Sequence, residues 1–443
     1  MEHNAVGLLN LFNLHLSKDS LQNVALGIFI GTYVMIMLEK YFHRTIAALL
    51  GASAVMILGI LPPHEAWKSI DYNTFFLLFG MMNIVTVMAH SGFFHILAVK
   101  TLRFTGTNPF KILLTFTILT AFFSAFLDNV TTILFMVPII IRITKLLSLN
   151  PVPYIIALVL ASNTGGTTTL IGDPPNIIIG SIAKKSFMDF IIHVAPHALV
   201  GFFLGLVLNF AYLKLTGAFK SSEGKVDLSE FEEIEKEETY PDLIFKSVTV
   251  FIATIVFFAL GHYVHLEPGV IALLMSSLLM LWSGLSPEYV LEKVEWATLV
   301  FFIGLFIVVG ALEHTGVFEK VAGLLVEHIG DDINKGLWLI GIFSSVISGF
   351  VDNIPFTMSM AYVLKDMSMH MSGVDFDKLW WALSLGACLG GNFTLIGASA
   401  NIVAAAIAER EKIRISFFTF MKYGTPVALF STLASLFSLY LFG

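Results

Sequence analysis

Two stretches of this chain carry the same unusual mixture of glycine, threonine, asparagine and acid. Residues 163–177 read NTGGTTTLIGDPPNI and residues 388–402 read CLGGNFTLIGASANI, in register at one spacing (390 − 165 = 225). Upstream, FLDN at 126–129 returns as FVDN at 350–353 (352 − 128 = 224). Asp128, Asp173 and Asp352 thus stand in apolar runs, with no Lys or Arg in their own segments. A carboxylate in hydrocarbon costs roughly 2.5–3.5 kcal/mol on insertion scales. Without a basic partner it takes a proton or binds a cation, which is the chemistry that couples H⁺ or Na⁺ to another movement. Asp128 and Asp352 are the expected coupling residues. Asn129, Asn353, Thr131, Thr132 and Thr357 add neutral oxygens suited to a hard cation. A Na⁺ ion is therefore expected at Asp128, Asn129, Asp352 and Asn353, and no other cofactor.

The glycines say how such residues are presented. Gly165-Gly166 and Gly390-Gly391 interrupt helical runs where each glycine costs about 1 kcal/mol, and Asp173-Pro174 is a helix-start signal. Ser399 or Asn401 would serve near the second restart. A helix broken inside a membrane frees backbone groups that hydrocarbon cannot satisfy, so the break must line a protein-buried or wet cavity. Its free carbonyls and hydroxyls can hold a cation, and its free amides an anion. Asn163, Gly165, Thr167, Asp173 and Asn176 are the candidates in the first copy. Gly391, Asn392, Thr394, Ser399 and Asn401 are those in the second. Thr131-Thr132 is replaced by Pro355-Phe356, so the half-sites differ and the first is expected to be the more polar.

The elements that must carry these residues are membrane helices. The 443 residues are 56% hydrophobic and only 13% charged, with a mean hydropathy of +0.84, which no soluble surface accommodates. Apolar runs of spanning length recur at 21–38, 45–61, 75–88, 198–213, 244–260, 270–282, 299–312 and 417–441. DYNTFFLLFG from Asp71 returns as EWATLVFFIG from Glu295, and His90-Ser91-Gly92 as His314-Thr315-Gly316, both 224 residues on (295 − 71 = 224). Three parts follow: a first transmembrane repeat at 1–215, a charged linker at 216–244, and a second repeat at 245–443.

Basic residues orient the chain. Lys40, Arg44, Lys100, Arg103, Lys111, Arg142 and Lys145 share the linker's side only if 110–144 enters and returns as a re-entrant hairpin with Asp128-Asn129 at its tip. Each half then has about five spans, one hairpin and one broken helix. An odd number of spans makes the second copy inverted, with the linker cytoplasmic and both termini outside. The fold expected is all-α and polytopic, in the bilayer of a bacterial inner membrane. A removable signal peptide is not expected, since no basic region or small-residue cleavage site accompanies the first apolar stretch. The lone cysteine, Cys388, excludes an internal disulfide, and the net charge of −7 with no basic stripe excludes nucleic acid as a partner.

FLDNVTT, GDPPN, FVDNIPFT and GACLGGNFTLIGASAN resemble the ion transporter superfamily across roughly residues 20–443. The likeness is to the branch of the P protein, the arsenite permeases and a class of sodium/proton antiporters. The divalent anion/sodium symporters and citrate transporters are more distantly similar. The resemblance implies inverted repeats, a homodimer through a scaffold region, and ion and substrate held together at hairpin tips and broken helices. Symporter relatives have Ser-Asn-Thr at the tips where this chain has Asp-Asn-Val and Asp-Asn-Ile, and an added negative charge repels a dianion. The expected activity is alternating-access transport that couples H⁺ or Na⁺ to a small ion, by Na⁺/H⁺ exchange or arsenite or antimonite efflux. The alternatives are a Na⁺-coupled citrate or dicarboxylate carrier and a passive channel. Neither an aspartyl-protease Gly-x-Gly-Asp pattern nor HExxH occurs, so no enzyme is expected.

Overall fold

The computed structural model describes residues 17–38, 41–215, 239–264, 266–330, 332–371 and 375–443. Most of the expected charged linker (216–238) lies outside the described residues. Among the described residues every regular element is a helix, and eight helices are long and apolar enough to cross a membrane. The chain is a polytopic membrane protein.

The first half runs through α1 (Lys18–Met37), α2 (Arg44–Leu58), α3 (Pro63–Lys68), α4 (Tyr72–His90), α5 (Phe93–Thr105), α6 (Pro109–Ser124), α7 (Asn129–Leu146), α8 (Pro151–Gly166), α9 (Pro174–Ala183), α10 (Phe187–His193) and α11 (Ala195–Leu215). The second half repeats the succession as α12 (Pro241–Val264), α13 (Pro268–Ser283), α14 (Pro287–Glu292), α15 (Trp296–Thr315), α16 (Val317–Ile329), α17 (Ile333–Phe350), α18 (Asn353–His370), α19 (Asp377–Gly390), α20 (Ser399–Arg410) and α21 (Phe417–Phe442). From α2 to α7 the starts match those of α13 to α18 at one offset (268 − 44 = 224; 353 − 129 = 224).

The punctuation repeats because the residues that cause it repeat. Gly92 and Gly316, at φ 83° and 77°, turn the chain sharply after α4 and α15 in a left-handed conformation that costs glycine little. His90 is the last residue of α4, and His314 lies in the last turn of α15. Asn108 and Asn150 cap α6 and α8 ahead of Pro109 and Pro151.

Packing is reciprocal. Within the halves α6 lies on α8, and α17 on α19; across them α2 lies on α15, and α13 on α4. α7 packs on α20 and α9 on α18, while α11 packs on its own counterpart α21. Such exchange of partners is what a two-fold relation produces. Small residues let the backbones meet, as close helix packing without a hydrophobic driving force requires. A Cβ on Gly80 would come 2.5 Å from the Ala272 backbone, and one on the equivalent Gly304 2.8 Å from Ala48. The end of α4 also meets α14, just ahead of α4's own second copy α15, where His90 Nδ1 and Tyr289 Oη are 2.9 Å apart.

Candidate functional site

Both acidic tips lie where the chain reverses. α6 ends at Ser124 and α7 begins at Asn129; α17 ends at Phe350 and α18 at once begins at Asn353. Asp128 caps α7, accepting from Thr131 N at 3.0 Å and from the Thr131 hydroxyl. Asp352 caps α18, accepting from Ile354 N at 3.0 Å. In each half the break of the helix is stapled to the neighbouring hairpin. Thr169 Oγ1 donates to Ala125 O, and Thr394 Oγ1 to Gly349 O. Gly165 and Gly390 make that approach feasible, since a Cβ would stand 2.1 Å from Ala121 O and 2.4 Å from Ser345 O. Gly165, expected as a lining residue, is a packing residue.

A buried amide network joins the halves. Asn163 Nδ2 donates to Asn392 Oδ1 at 2.8 Å and to Asn401 Oδ1 at 2.9 Å. Asn129 Nδ2 donates to Asn163 Oδ1 at 3.3 Å and to Asp173 Oδ1 at 3.1 Å, and Asn353 Nδ2 reaches the same Asp173 oxygen at 3.4 Å. Asp173 occupies the N-cap position of α9 but does not cap it, contrary to the expectation from Asp173-Pro174. Its carboxylate is held by two asparagines from opposite tips instead. Its second oxygen, Oδ2, is buried without a hydrogen bond, with the Cys388 thiol nearby.

Other expected site residues are consumed by the scaffold. Asn176 Nδ2 holds the carbonyls of Thr167 (2.9 Å) and Thr169 (2.8 Å), and its Oδ1 accepts from Ser384 at 2.6 Å. Asn401 Nδ2 likewise holds Gly391 O and Thr394 O, each at 2.8 Å. Thr167 Oγ1 is spent on Asn163 O at 2.8 Å, and Asn392 Nδ2 on Leu160 O and Thr164 Oγ1. Thr132 and Thr357 hydroxyls are buried without a partner among the described residues.

What remains converges on one small cavity. Asp128, Asn129, Asp173, Asn353 and Ser399 line it together with Arg44 and Glu295, which the sequence did not single out as site residues. It encloses about 20 Å³, room for one water molecule or one small ion. Asp352 is turned aside: its Oδ2 lies 3.5 Å from Arg44 Nη1 and accepts from Ser399 Oγ at 3.2 Å. The expectation that all three aspartates lack a basic partner therefore fails for Asp352. Arg44, read as a marker of the cytoplasmic side, comes from the first turn of α2 and also donates to Ser399 Oγ and, at 3.3 Å, to Thr298 Oγ1. Asp128, Asn129, Asp352 and Asn353 are consequently not assembled around one ion here. Among the described residues no three His, Cys, Asp or Glu side chains are placed to hold a metal ion. Glu295 does not cap α15; Thr298 Oγ1 donates to it at 3.2 Å. Its counterpart Asp71 does cap α4 (3.0 Å to Asn73 N), so the repeated acidic position was the signal and its two uses were not.

Larger cavities adjoin the small one on the side of His90. A vestibule of about 350 Å³ shares Met82 and Glu295 with it and continues past Thr86, Thr131 and His90. An outer chamber of about 410 Å³ shares His90 and Phe135 with that vestibule. At the counterpart positions 224 residues on, the space is filled. Tyr33 Oη lies 2.5 Å from Pro355 O and 2.9 Å from Ser359 Oγ, and Gly310 packs so tightly on Ser69 that a Cβ would be 2.4 Å from its Oγ.

Comparison with known proteins adds four findings. A citrate transporter family model matches residues 33–386. The chain is 37% identical over 416 residues to an uncharacterized transporter of Mycobacterium tuberculosis (strain ATCC 25618 / H37Rv), covering 92% of this chain and 95% of that protein. It is 36% identical over 417 residues to the 46 kDa membrane protein of Mycobacterium leprae (strain TN), at 92% and 96% coverage. It is also 33% identical over 497 residues to the P protein of Homo sapiens, which spans 94% of this chain but only 59% of the P protein.

Proposed function

The chain belongs to the citrate transporter family and is a multi-pass membrane transporter, and from that premise we propose that it is a secondary active carrier of a small ion. It couples H⁺ or Na⁺ to that movement by alternating access, with Asp128 as the group that loads and unloads the coupling cation. The observation that carries this reading is the wall of the central cavity: three carboxylates, Asp128, Asp173 and Glu295, against one arginine already engaged by Asp352. A cavity of about 20 Å³ with that wall suits a small cation; a neutral oxyacid such as arsenite would require it to widen, and a tricarboxylate would also meet repulsion. Na⁺/H⁺ exchange and arsenite or antimonite efflux are thus favoured over citrate movement.

The vestibule beside His90 and the meeting of the end of α4 with α14, just ahead of its second copy α15, support inverted halves that open in turn. Hairpins and broken helices would move against the remaining spans. In this reading the linker is cytoplasmic, the vestibule opens inward to the cytoplasm of a bacterial cell, and the carrier works as a homodimer in the inner membrane.

Purified protein in liposomes loaded with a pH-sensitive dye tests the reading, with Na⁺, Li⁺, arsenite, succinate and citrate added singly. Proton movement on adding Na⁺ or arsenite, abolished in Asp128→Asn, is the expected result. Citrate movement with no proton or sodium signal, unchanged in Asp128→Asn, overturns it.

A further inference from the structure

Asp128 and Asp352 hold equivalent places, each capping the second helix of its hairpin, but their surroundings differ (352 − 128 = 224). Among the described residues the Asp128 carboxylate is bonded only within its own first turn, by Thr131 and the backbone of Val130. Asp352 has a hydroxyl from Ser399 and the guanidinium of Arg44 as well. Neither of those partners has a counterpart. The position equivalent to Arg44 is Pro268 (268 − 44 = 224), and that equivalent to Ser399 is Pro174 (399 − 174 = 225).

We propose that Arg44 is a resident cation, which permanently fills on the Asp352 side the place that a mobile H⁺ or Na⁺ fills on the Asp128 side. Only one half of the site then exchanges a cation with solution in each cycle. The inference deepens the functional reading above and rests on it.

The geometry supports fixation. The guanidinium is bonded to α15 and α20, lies beside the cap of α18, and sits 5.3 Å above the Phe301 ring, with the side chain only 14% exposed. Arginine does not lose its proton in proteins, and its planar fork suits a fixed, partly desolvated pair better than an ammonium would. A buried carboxylate must be paired or neutralised, and a tethered partner satisfies Asp352 without ever leaving with the substrate. On the other side a valence stays open: Asp173 is wholly buried and lines the cavity, and its Oδ2 has no hydrogen bond. The cancelled pair leaves Asp128, Asp173 and Glu295 as the charges that a mobile cation can answer.

The test measures binding in the full-length protein in detergent, with no gradient, so it can fail while the transport reading stands, and the reverse. Melting temperatures of wild type, Arg44→Gln and Arg44→Gln/Asp352→Asn are compared in choline chloride, NaCl and guanidinium chloride at low millimolar concentration. Removing the tethered cation should open a site for a free one. Arg44→Gln should therefore gain about 2 °C or more from Na⁺ or guanidinium beyond any wild-type response, and the double variant, with both charges gone, should gain nothing extra. Equal responses in the single and double variants, or no gain in Arg44→Gln, overturn the proposal. If Arg44→Gln cannot be recovered folded, recovery of the double variant supports charge cancellation as the role of Arg44. Loss of both overturns it, because the arginine would then be needed for packing alone.

Discussion

Asn163 spends both amide hydrogens on asparagines of the other half and its oxygen on Asn129, so a single side chain holds three elements in register. Asn163→Ala strands several buried polar groups, each worth about 1–3 kcal/mol when left unpaired. We expect a loss of about 3 kcal/mol or more in stability and a lower melting temperature, whereas Asp128→Asn should abolish coupled flux at near-normal melting temperature. At this scale the repeats flagged residues that line the cavity together with others that only build the scaffold, such as Gly165, Asn176 and Asn401. Asp128, Asn129, Asp173, Asn353 and Ser399 were expected in one site and do share a cavity. Arg44 was not readable, because its partner Asp352 lies 308 positions away and no local pattern records the contact. A basic residue at the end of a loop looks the same whether it faces lipid headgroups or reaches into the protein.

At the level of elements, the glycine pairs located both helix breaks, and the DN dipeptides located both reversals. What spacing could not tell was why the glycines are there. Gly165 and Gly390 are thin spots where broken helix and hairpin backbones touch, rather than bare backbone offered to an ion. Gly165→Ala should therefore cost about 1–3 kcal/mol or more through overpacking. Gly27→Ala in α1, with nothing within 4 Å of the added carbon, should be neutral or gain about 0.4–1 kcal/mol. Thermal melts of the two variants side by side check the contrast. The Asp173-Pro174 start signal was right about where α9 begins and wrong about the carboxylate, because two buried asparagine amides outbid one backbone N–H for it.

For the whole molecule, the proposed one-sided path makes a labelling prediction that the lone, fully buried Cys388 leaves easy to read. Thr86→Cys on the vestibule wall should react with a membrane-impermeant thiol reagent applied from the open side, whereas Val309→Cys, on the wholly buried counterpart segment, should not. Equal labelling of both would contradict a one-sided path. Surface ion pairs also join the halves. Lys145 bonds Glu411 at 2.5 Å and holds that carboxyl below the usual glutamate range. A depressed folded-state value means the bridge stabilises above the ordinary glutamate range and is lost as pH falls through the lowered one. Wild type should thus melt slightly above Glu411→Gln at neutral pH and low salt, with the gap closing in acid and at high salt. The duplication itself was plain in the sequence, since the motifs recur at offsets of 224 or 225 (352 − 128 = 224; 390 − 165 = 225); the reciprocal packing was not, because partner choice between copies leaves no trace in spacing. That packing has a consequence for tightness. Because Asn163 is pinned to both Asn392 and Asn401, the broken helix of one half cannot lean away while that of the other stays put. Two doors hung on one post have no position in which both stand ajar, so a protein working by the proposed cycle should pass no leak current between turns.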